Sequence, residues 1–332
     1  MSFTLLRIAA CRRATTKFAR RYATAPESPV KSQSNWALYV AGAGAAGLAG
    51  YAYLQTSEKA TSTKQVPKQE KSPLDPSNFV DFKLKKVEPY NHNTSKFIFE
   101  LPNNEASLLP VASCVVVKAS DPEALKDSKG KPVIRPYTPI SPSNAPGELT
   151  FLIKRYPQGL ASVHIHSLKP GDTLSIKGPI PKFDYKIHEF DNVGLIGGGS
   201  GVTPLYQVLT HALSDPSNKT KFTLLFSNVT DKDILLREEF DALAKKFPET
   251  LKVVYYLDKG DKDWKGETGY ISKEGVKKYV AGPEGGEKVK IFVCGPPGQV
   301  ASLAGKKDGM KQGELGGILK ELGYTEDQVF KF

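Results

Sequence analysis

"NVGLIGGGSGVTPLYQVL", Asn192–Leu209, sets an apolar run, a glycine cluster and a second apolar run end to end. The first run reads as a buried strand ending at Ile196. The last reads as a helix starting at Thr203 or Pro204, with Thr203 suited to the N-cap and Pro204 to the first turn. Between them Gly198, Gly199 and Gly201 let the backbone pass close to a ligand. A helix N-terminus placed there offers N–H groups and a partial positive charge to a pyrophosphate. Downstream, the strand-like runs "KFTLLFSNV", "LKVVYYLD" and "VKIFVCGPP" alternate with the helical stretches "ILLREEFDALAKKF" and "SKEGVKKYV". Alternation of this kind predicts a parallel, doubly wound α/β domain, here residues 190–332.

Upstream, the texture changes near Phe190. "FVDFKLKKV", "KFIFEL", "SCVVVKAS", "ELTFLIKRY" and "DTLSIKG" are short runs rich in Val, Ile, Phe and Thr, punctuated by Pro, Gly and Asn. That spacing predicts an antiparallel β-barrel over residues 77–186, interrupted by one short helix at "ASVHIHSL".

A second glycine cluster, "AGAGAAGLAG" at Ala41–Gly50, is a literal G-x-G-x-x-G. A dinucleotide fingerprint would need a helix, a second strand and an acid about 20 residues on. The chain instead continues into a polar linker, residues 55–75, that contains Pro67. The run Trp36–Leu54 has nineteen residues without a charge and aromatics near both ends, which suits one transmembrane helix at 36–54. Gly42, Ala46 and Gly50 then fall at the spacing that lets membrane helices pack closely. Ahead of it, residues 1–22 carry Arg7, Arg12, Arg13, Lys17, Arg20 and Arg21 and no acid. This is the composition of a mitochondrial targeting segment, with a cleavage-like "RRYAT" after which Tyr22 would be the last residue removed. All of these basic residues except Arg12 share one side of a helical wheel.

Composition narrows the rest. The formal net charge of +11 is concentrated at the front: residues 1–72 hold eleven Lys or Arg against three acids. The basic excess therefore belongs to the leader and is no sign of a nucleic-acid partner. Cys11, Cys114 and Cys294 have neither CxxC spacing nor nearby His pairs, so no disulfide framework or metal site is expected. His164 and His166, two apart, have no partner cluster.

"RPYTPIS", Arg135–Ser141, adds a guanidinium able to fork onto a diphosphate and, at Tyr137, a flat ring for stacking. The order of "RPYTPIS", "GGGSGVTP", "KDILLREEFDAL", "FVCGPP" and the terminal "VFKF" resembles the ferredoxin reductase superfamily of flavoenzymes. More closely, it is similar to the NADH–cytochrome b5 reductases, of the fungal mitochondrial type. The resemblance covers about Phe79–Phe332.

That resemblance implies FAD and NADH as cofactors, and residue roles with them. Arg135, with Pro136, would hold the FAD pyrophosphate; Tyr137 and Thr138 would contact the flavin ring and ribityl chain. Ile153, Lys154 and Tyr156 would lie along the flavin and at the nicotinamide side. Gly159 and Ser162 match a backbone phosphate cradle, although Leu160 and Ala161 stand where the family carries Lys and Met. Gly198, Gly199, Gly201, Thr203 and Pro204 would face the nucleotide, with Thr203 near both rings. Cys294, Gly295 and Pro296 would line the nicotinamide pocket. Thr138, Thr203 and Cys294 are the implied catalytic positions. Asp258, closing "VVYYLD", suits the adenosine ribose hydroxyls and repels a 2′-phosphate, which favours NADH over NADPH.

The implied reaction is hydride transfer from NADH to flavin, followed by single-electron release to a cytochrome b5-like haem protein. The implied setting is a monomer anchored by one helix at the mitochondrial outer membrane or exposed to the intermembrane space. Two other readings are compatible with the residues: an NADPH- or quinone-directed reductase of the same superfamily, and a membrane-tethered binding module without flavin. The nucleotide preference separates the first from the leading reading; flavin colour separates the second.

Overall fold

In a computed structural model, residues 71–332 are described. Residues 1–22, 36–54 and nearly all of 55–75, where a targeting segment, a transmembrane helix and a linker are expected, lie outside the described residues. Among the described residues, no helix is long and apolar enough to cross a membrane.

Alternation of apolar and polar residues builds the first half. β1 (Val80–Pro89), β2 (Thr94–Glu100), β3 (Ser113–Ala119), β4 (Arg135–Tyr137), β5 (Glu148–Lys154) and β6 (Thr173–Pro181) form one antiparallel sheet in the order β4-β3-β6-β1-β2-β5. Every second residue, among them Phe82, Leu84, Phe97, Phe99, Val115, Val117, Leu149, Phe151, Leu174 and Ile176, converges on one core. A sheet whose inward residues all meet must coil round them. The expected barrel is corrected in one respect: β4 and β5, the two edges, do not pair as strands. Two bonds bridge them instead, Ile140 N–H to the Thr150 carbonyl (2.8 Å) and Thr150 N–H to Ser141 Oγ (3.0 Å). Pro136, Pro139 and Pro142 remove the donors that a longer β4 would need. The short helix α1 (Leu160–Ser167) follows β5.

The second half is a parallel sheet, β10-β9-β8-β7-β11-β12, made of β7 (Asn192–Gly198), β8 (Lys221–Asn228), β9 (Leu251–Leu257), β10 (Glu267–Thr268), β11 (Val289–Cys294) and β12 (Val329–Lys331). Its central strands are apolar almost throughout because both faces are covered. Helices α2 (Val202–Leu213) and α3 (Arg237–Lys246) cover one face through Leu205, Leu209 and Phe240. Helices α4 (Lys273–Tyr279), α5 (Pro297–Ala304) and α6 (Gly317–Glu321) cover the other through Val276, Val300, Leu303 and Leu319. The chain steps outward from β7 to β10, then returns to place β11 on the other side of β7. The crevice at the carboxyl ends of β7 and β11 is thus the switch point, where open α/β sheets bind ligands.

Phe183, just past β6, packs edge-on against Phe292 (5.1 Å) and Phe330 (5.2 Å), which joins the halves. The chain end is sealed in. Lys331, 2% exposed, donates its ammonium to the carbonyls of Glu314 (3.0 Å), Ala304 (3.2 Å) and Gly313 (3.4 Å). The Gln312 side-chain amide bonds both backbone groups of the same residue, at 2.7 and 2.9 Å. Lys331→Met keeps the stem but strands those carbonyls, at a cost of about 1–3 kcal/mol. Urea unfolding of the variant is expected to show a lower midpoint with an unchanged slope.

Candidate functional site

The glycine loop begins where β7 ends. Gly199–Gly201 make a single tight turn, with Gly199 at φ +51°, and α2 follows from Val202. A Cβ on Gly198 would run into the Gln299 amide and Pro296; one on Gly201 would meet the Cys294 carbonyl at 2.5 Å. Contact with the Cys294–Pro296 segment therefore demands two of these glycines, independently of any ligand. Thr203 is not the N-cap: Gly201 occupies that position, and Thr203 lies buried in the first turn, its Oγ1 donating to the Ser200 carbonyl at 3.3 Å. Pro204 falls in the same turn, where its missing N–H costs the helix no bond.

On the barrel side, Arg135 opens β4. It is exposed, and its Nη1 donates to the Ile134 carbonyl at 2.8 Å. Tyr137 is half-buried with its ring edge-on to Phe151. Burial pushes its hydroxyl up to about 12; Arg135 works against the shift and Tyr156 adds to it. Those three side chains thus share one neighbourhood, with Pro136 between two of them and the buried Thr138 just beyond. Tyr156 crosses the seam: its hydroxyl lies 2.9 Å from Ser200 Oγ in the glycine loop.

Gly159 is the N-cap of α1, and a Cβ there would press on Ser162 Oγ (2.7 Å) and Tyr156. Ser162 sits in the third helical position, accepts the Tyr156 N–H (3.1 Å) and donates to the Gly159 carbonyl (2.9 Å), so it ties the preceding loop down. The first turn of α1 contains no acid and leaves its leading N–H groups without intrahelical partners. Beside it, Leu160 (50%) and Tyr156 (43%) leave apolar surface open. A free guanidinium, a bare helix N-terminus, a phenol ring and exposed apolar side chains together suit a ligand that combines a diphosphate with a flat ring. Ile153 does not join this face through its side chain, which is packed in the barrel core, while its carbonyl accepts from His166 Nε2 at 2.9 Å.

A cavity of about 480 Å³ opens between the halves. Lys154 and Tyr156 line it from the barrel; Gly198, Gly199, Asp258 and Pro296 line it from the α/β half. Cys294 and Gly295 stand behind that wall, half-buried. Burial pushes the Cys294 thiol up to about 12 against the pull of Lys307, which disfavours the thiolate. A larger hollow, about 850 Å³, surrounds Arg237, Tyr255 and Trp264. It contains none of the expected site residues, and its Arg237 is already engaged by Asp231 and Asp241.

The cavity also contains residues that sequence reasoning did not select, among them Asn228, Val229, Tyr270 and Gln299. Asn228 ends β8 in register with Leu257, and Asp258, one residue past β9, donates its N–H to the Asn228 carbonyl at 3.0 Å. The available signal for Asn228 is its place at the carboxyl end of a strand in the same sheet; Tyr270, on the bend after β10, has none.

Comparison with known proteins matches two family models in tandem, the oxidoreductase FAD-binding domain at residues 81–185 and the oxidoreductase NAD-binding domain at residues 195–304. The chain is 53% identical over 261 residues to a protein of Mycosarcoma maydis named NADH-cytochrome b5 reductase 2, covering 78% of this chain and 74% of that one. It is 42% identical over 327 residues to the protein of that name from Phaeosphaeria nodorum, covering 94% and 95%. Among solved structures, the cytochrome b5 reductase domain of Ulva prolifera nitrate reductase superimposes with a TM-score of 0.67 at 27% identity, over 79% of this chain and all of that one. The b5 reductase-containing region of human Ncb5or superimposes with a TM-score of 0.61 at 27% identity, over 76% and 69%.

Proposed function

Because the chain belongs to the NADH–cytochrome b5 reductase family, we propose that the cavity between its two halves is where NADH meets FAD. The protein is an oxidoreductase that binds FAD and NADH and passes electrons from NADH to cytochrome b5. The observation that carries the site reading is the cavity itself. It draws Lys154 and Tyr156 from the FAD half and the glycine loop, Asp258 and Pro296 from the NAD half into one wall.

The chain's residues then divide the work. Arg135 and the open N–H groups of α1 hold the FAD diphosphate, with Gly159 and Ser162 fixing the loop that presents them. Leu160 and Ala161 leave this cradle to backbone groups and lower its positive charge relative to the family pattern. Pro136, Tyr137 and Thr138 form the strand edge against which the ring lies, and Ile153 contributes only backbone. Lys154, Tyr156, Thr203, Pro204 and the Cys294–Pro296 segment surround the nicotinamide end; Asp258 receives the adenosine ribose. Bound FAD supplies the change from two-electron to one-electron chemistry. The protein sets distance, stacking and polarity, and no side chain here has to act as a general acid or base.

We further propose that residues 1–22 direct the protein to mitochondria. Residues 36–54 anchor it as a monomer at the outer membrane, or facing the intermembrane space. The charge-free run and the polar segment after it support this reading. A chain starting near Ser72 is expected to be soluble and yellow, to be bleached by NADH without oxygen, and to reduce cytochrome b5 at the full-length rate, while only the full chain partitions with membranes. Colourless protein, or flavin that NADH does not reduce, overturns the functional reading. Loss of FAD on shortening alone would put the nucleotide at "GAGAAG".

A further inference from the structure

The Asp233 carboxylate lies where the two halves meet, 8% exposed. It belongs to the turn Asp231–Asp233 between β8 and α3. One oxygen, Oδ2, stays within the α/β half and accepts from Thr230 Oγ1 (2.7 Å) and the Thr230 N–H (3.2 Å). The other, Oδ1, crosses to the barrel and accepts from Lys154 Nζ (2.8 Å) and Asn93 Nδ2 (3.3 Å), with His92 Nε2 at 3.6 Å. Lys154, 13% exposed, lines the nucleotide cavity from one side; Val229, next to Thr230, lines it from the other. Burial on its own would raise the Asp233 pKa, but bonds from Lys154 and Thr230 and the charge of Lys154 more than offset it, leaving about 2. The carboxylate is therefore ionised throughout the neutral range, and the link is permanent rather than pH-gated.

The halves do not need this carboxylate to stay together. Tyr90 Oη accepts the Leu236 N–H (2.8 Å), Asn91 Nδ2 donates to the Lys232 carbonyl (2.9 Å) and the Ser113 N–H donates to Gln207 Oε1 (3.2 Å). Phe183 adds its aromatic contacts. What those links do not do is tie Lys154 to Thr230. A lysine ammonium on a four-carbon stem has many rotamers. Without a fixed acceptor its position on the wall is lost.

We propose that Asp233 is a positioning residue for the nicotinamide nucleotide, holding Lys154 and the Val229–Thr230 strap at one separation and so setting the fit of the cavity. This rests on the reading of the cavity as the nucleotide site. Asp233→Asn keeps the shape and the Thr230 contacts but leaves Lys154 without its countercharge.

The test is a double-mutant cycle of Asp233→Asn and Lys154→Met, with NADH and ferricyanide in steady state, flavin content by absorbance and NAD+ affinity by flavin difference spectra. Asp233→Asn is expected to raise the NADH KM and the NAD+ Kd by about five-fold, with kcat altered less than about two-fold and flavin content unchanged. In the Lys154→Met background the same change is expected to have almost no effect, the non-additivity of residues acting through one another. Asp233→Glu, which keeps the charge but shifts it, is expected to raise KM by less than Asp233→Asn does. It remains informative if the asparagine variant folds poorly. Multiplicative effects in the cycle, or a lowered melting temperature with unchanged KM and Kd, overturn the proposal. If Lys154→Met alone leaves KM and Kd unchanged, the cavity assignment fails first and takes the proposal with it.

Discussion

Arg135→Ala is expected to release FAD on dilution, with affinity at least about tenfold weaker. The guanidinium stands at the exposed start of β4 with one bond to the neighbouring Ile134 carbonyl, so most of its N–H groups face outward. A charge-assisted bond to a diphosphate oxygen contributes roughly 1.5–3 kcal/mol, and a guanidinium can make two side by side. Leu160 and Ala161, both uncharged, occupy the turn beside the proposed cradle, so on that reading Arg135 supplies most of the countercharge. Flavin fluorescence released on serial dilution measures the effect. Because Arg135 is exposed, unfolding is not expected to contribute; matched thermal melts in excess FAD check this. Full flavin retention at dilute concentration would remove Arg135 from the diphosphate site.

Asp258→Ser is expected to move the nucleotide preference toward NADPH by about an order of magnitude. Asp258 lies just past β9 on the cavity wall, its N–H bonded to the Asn228 carbonyl and its side chain exposed. On the proposed placement of the nucleotide, a carboxylate there would accept hydrogen bonds from the two ribose hydroxyls of NADH and repel the extra phosphate of NADPH. Two like charges about 4 Å apart interact at about 4 kcal/mol for an effective dielectric of 20. Lys259 and Lys262 follow on the same turn and screen part of this. A third of the full term still corresponds to about tenfold. The ratio of kcat/KM for the two nucleotides, with one acceptor, reads the result. An unchanged ratio would take Asp258 out of the ribose site.

The parts legible in the sequence are those set by local pattern. The Asn192–Leu209 stretch announces strand, loop and helix because each has its own periodicity, and the antiparallel half shows in its alternation. Boundaries and caps were less legible. Thr203 reads as an N-cap because Thr-Pro ordinarily opens a helix, but the glycine turn places Gly201, two residues earlier, in that role. The bonds of Ser162 are equally illegible in the sequence, because they run backward to a loop whose shape is set by Gly159. The glycines at 198 and 201 were attributed to ligand approach, whereas the body they make room for includes Cys294–Pro296, nearly 100 residues downstream. Alternation along β5 packs the Ile153 side chain in the barrel core and turns that of its neighbour Lys154 to the cavity. Asp233 lies inside the "KDILLREEFDAL" motif, but its role is not legible there, since it arises only when the turn after β8 meets the end of β5.

The enclosure of β12 bears on the order in which the two halves can form. All six strands of the first sheet have left the ribosome once Pro181 has emerged, so that half can complete its core during synthesis. The second sheet must wait for Val329–Lys331, about 150 residues later, because the loop that encloses the Lys331 ammonium is built around that strand. Until β12 emerges, β11 has an open edge, and Phe292 and Phe183 lack the rings of Phe330 and Phe332. The FAD half can therefore be complete while its partner still presents an unpaired strand edge and an uncovered aromatic cluster, which protein quality control can recognise.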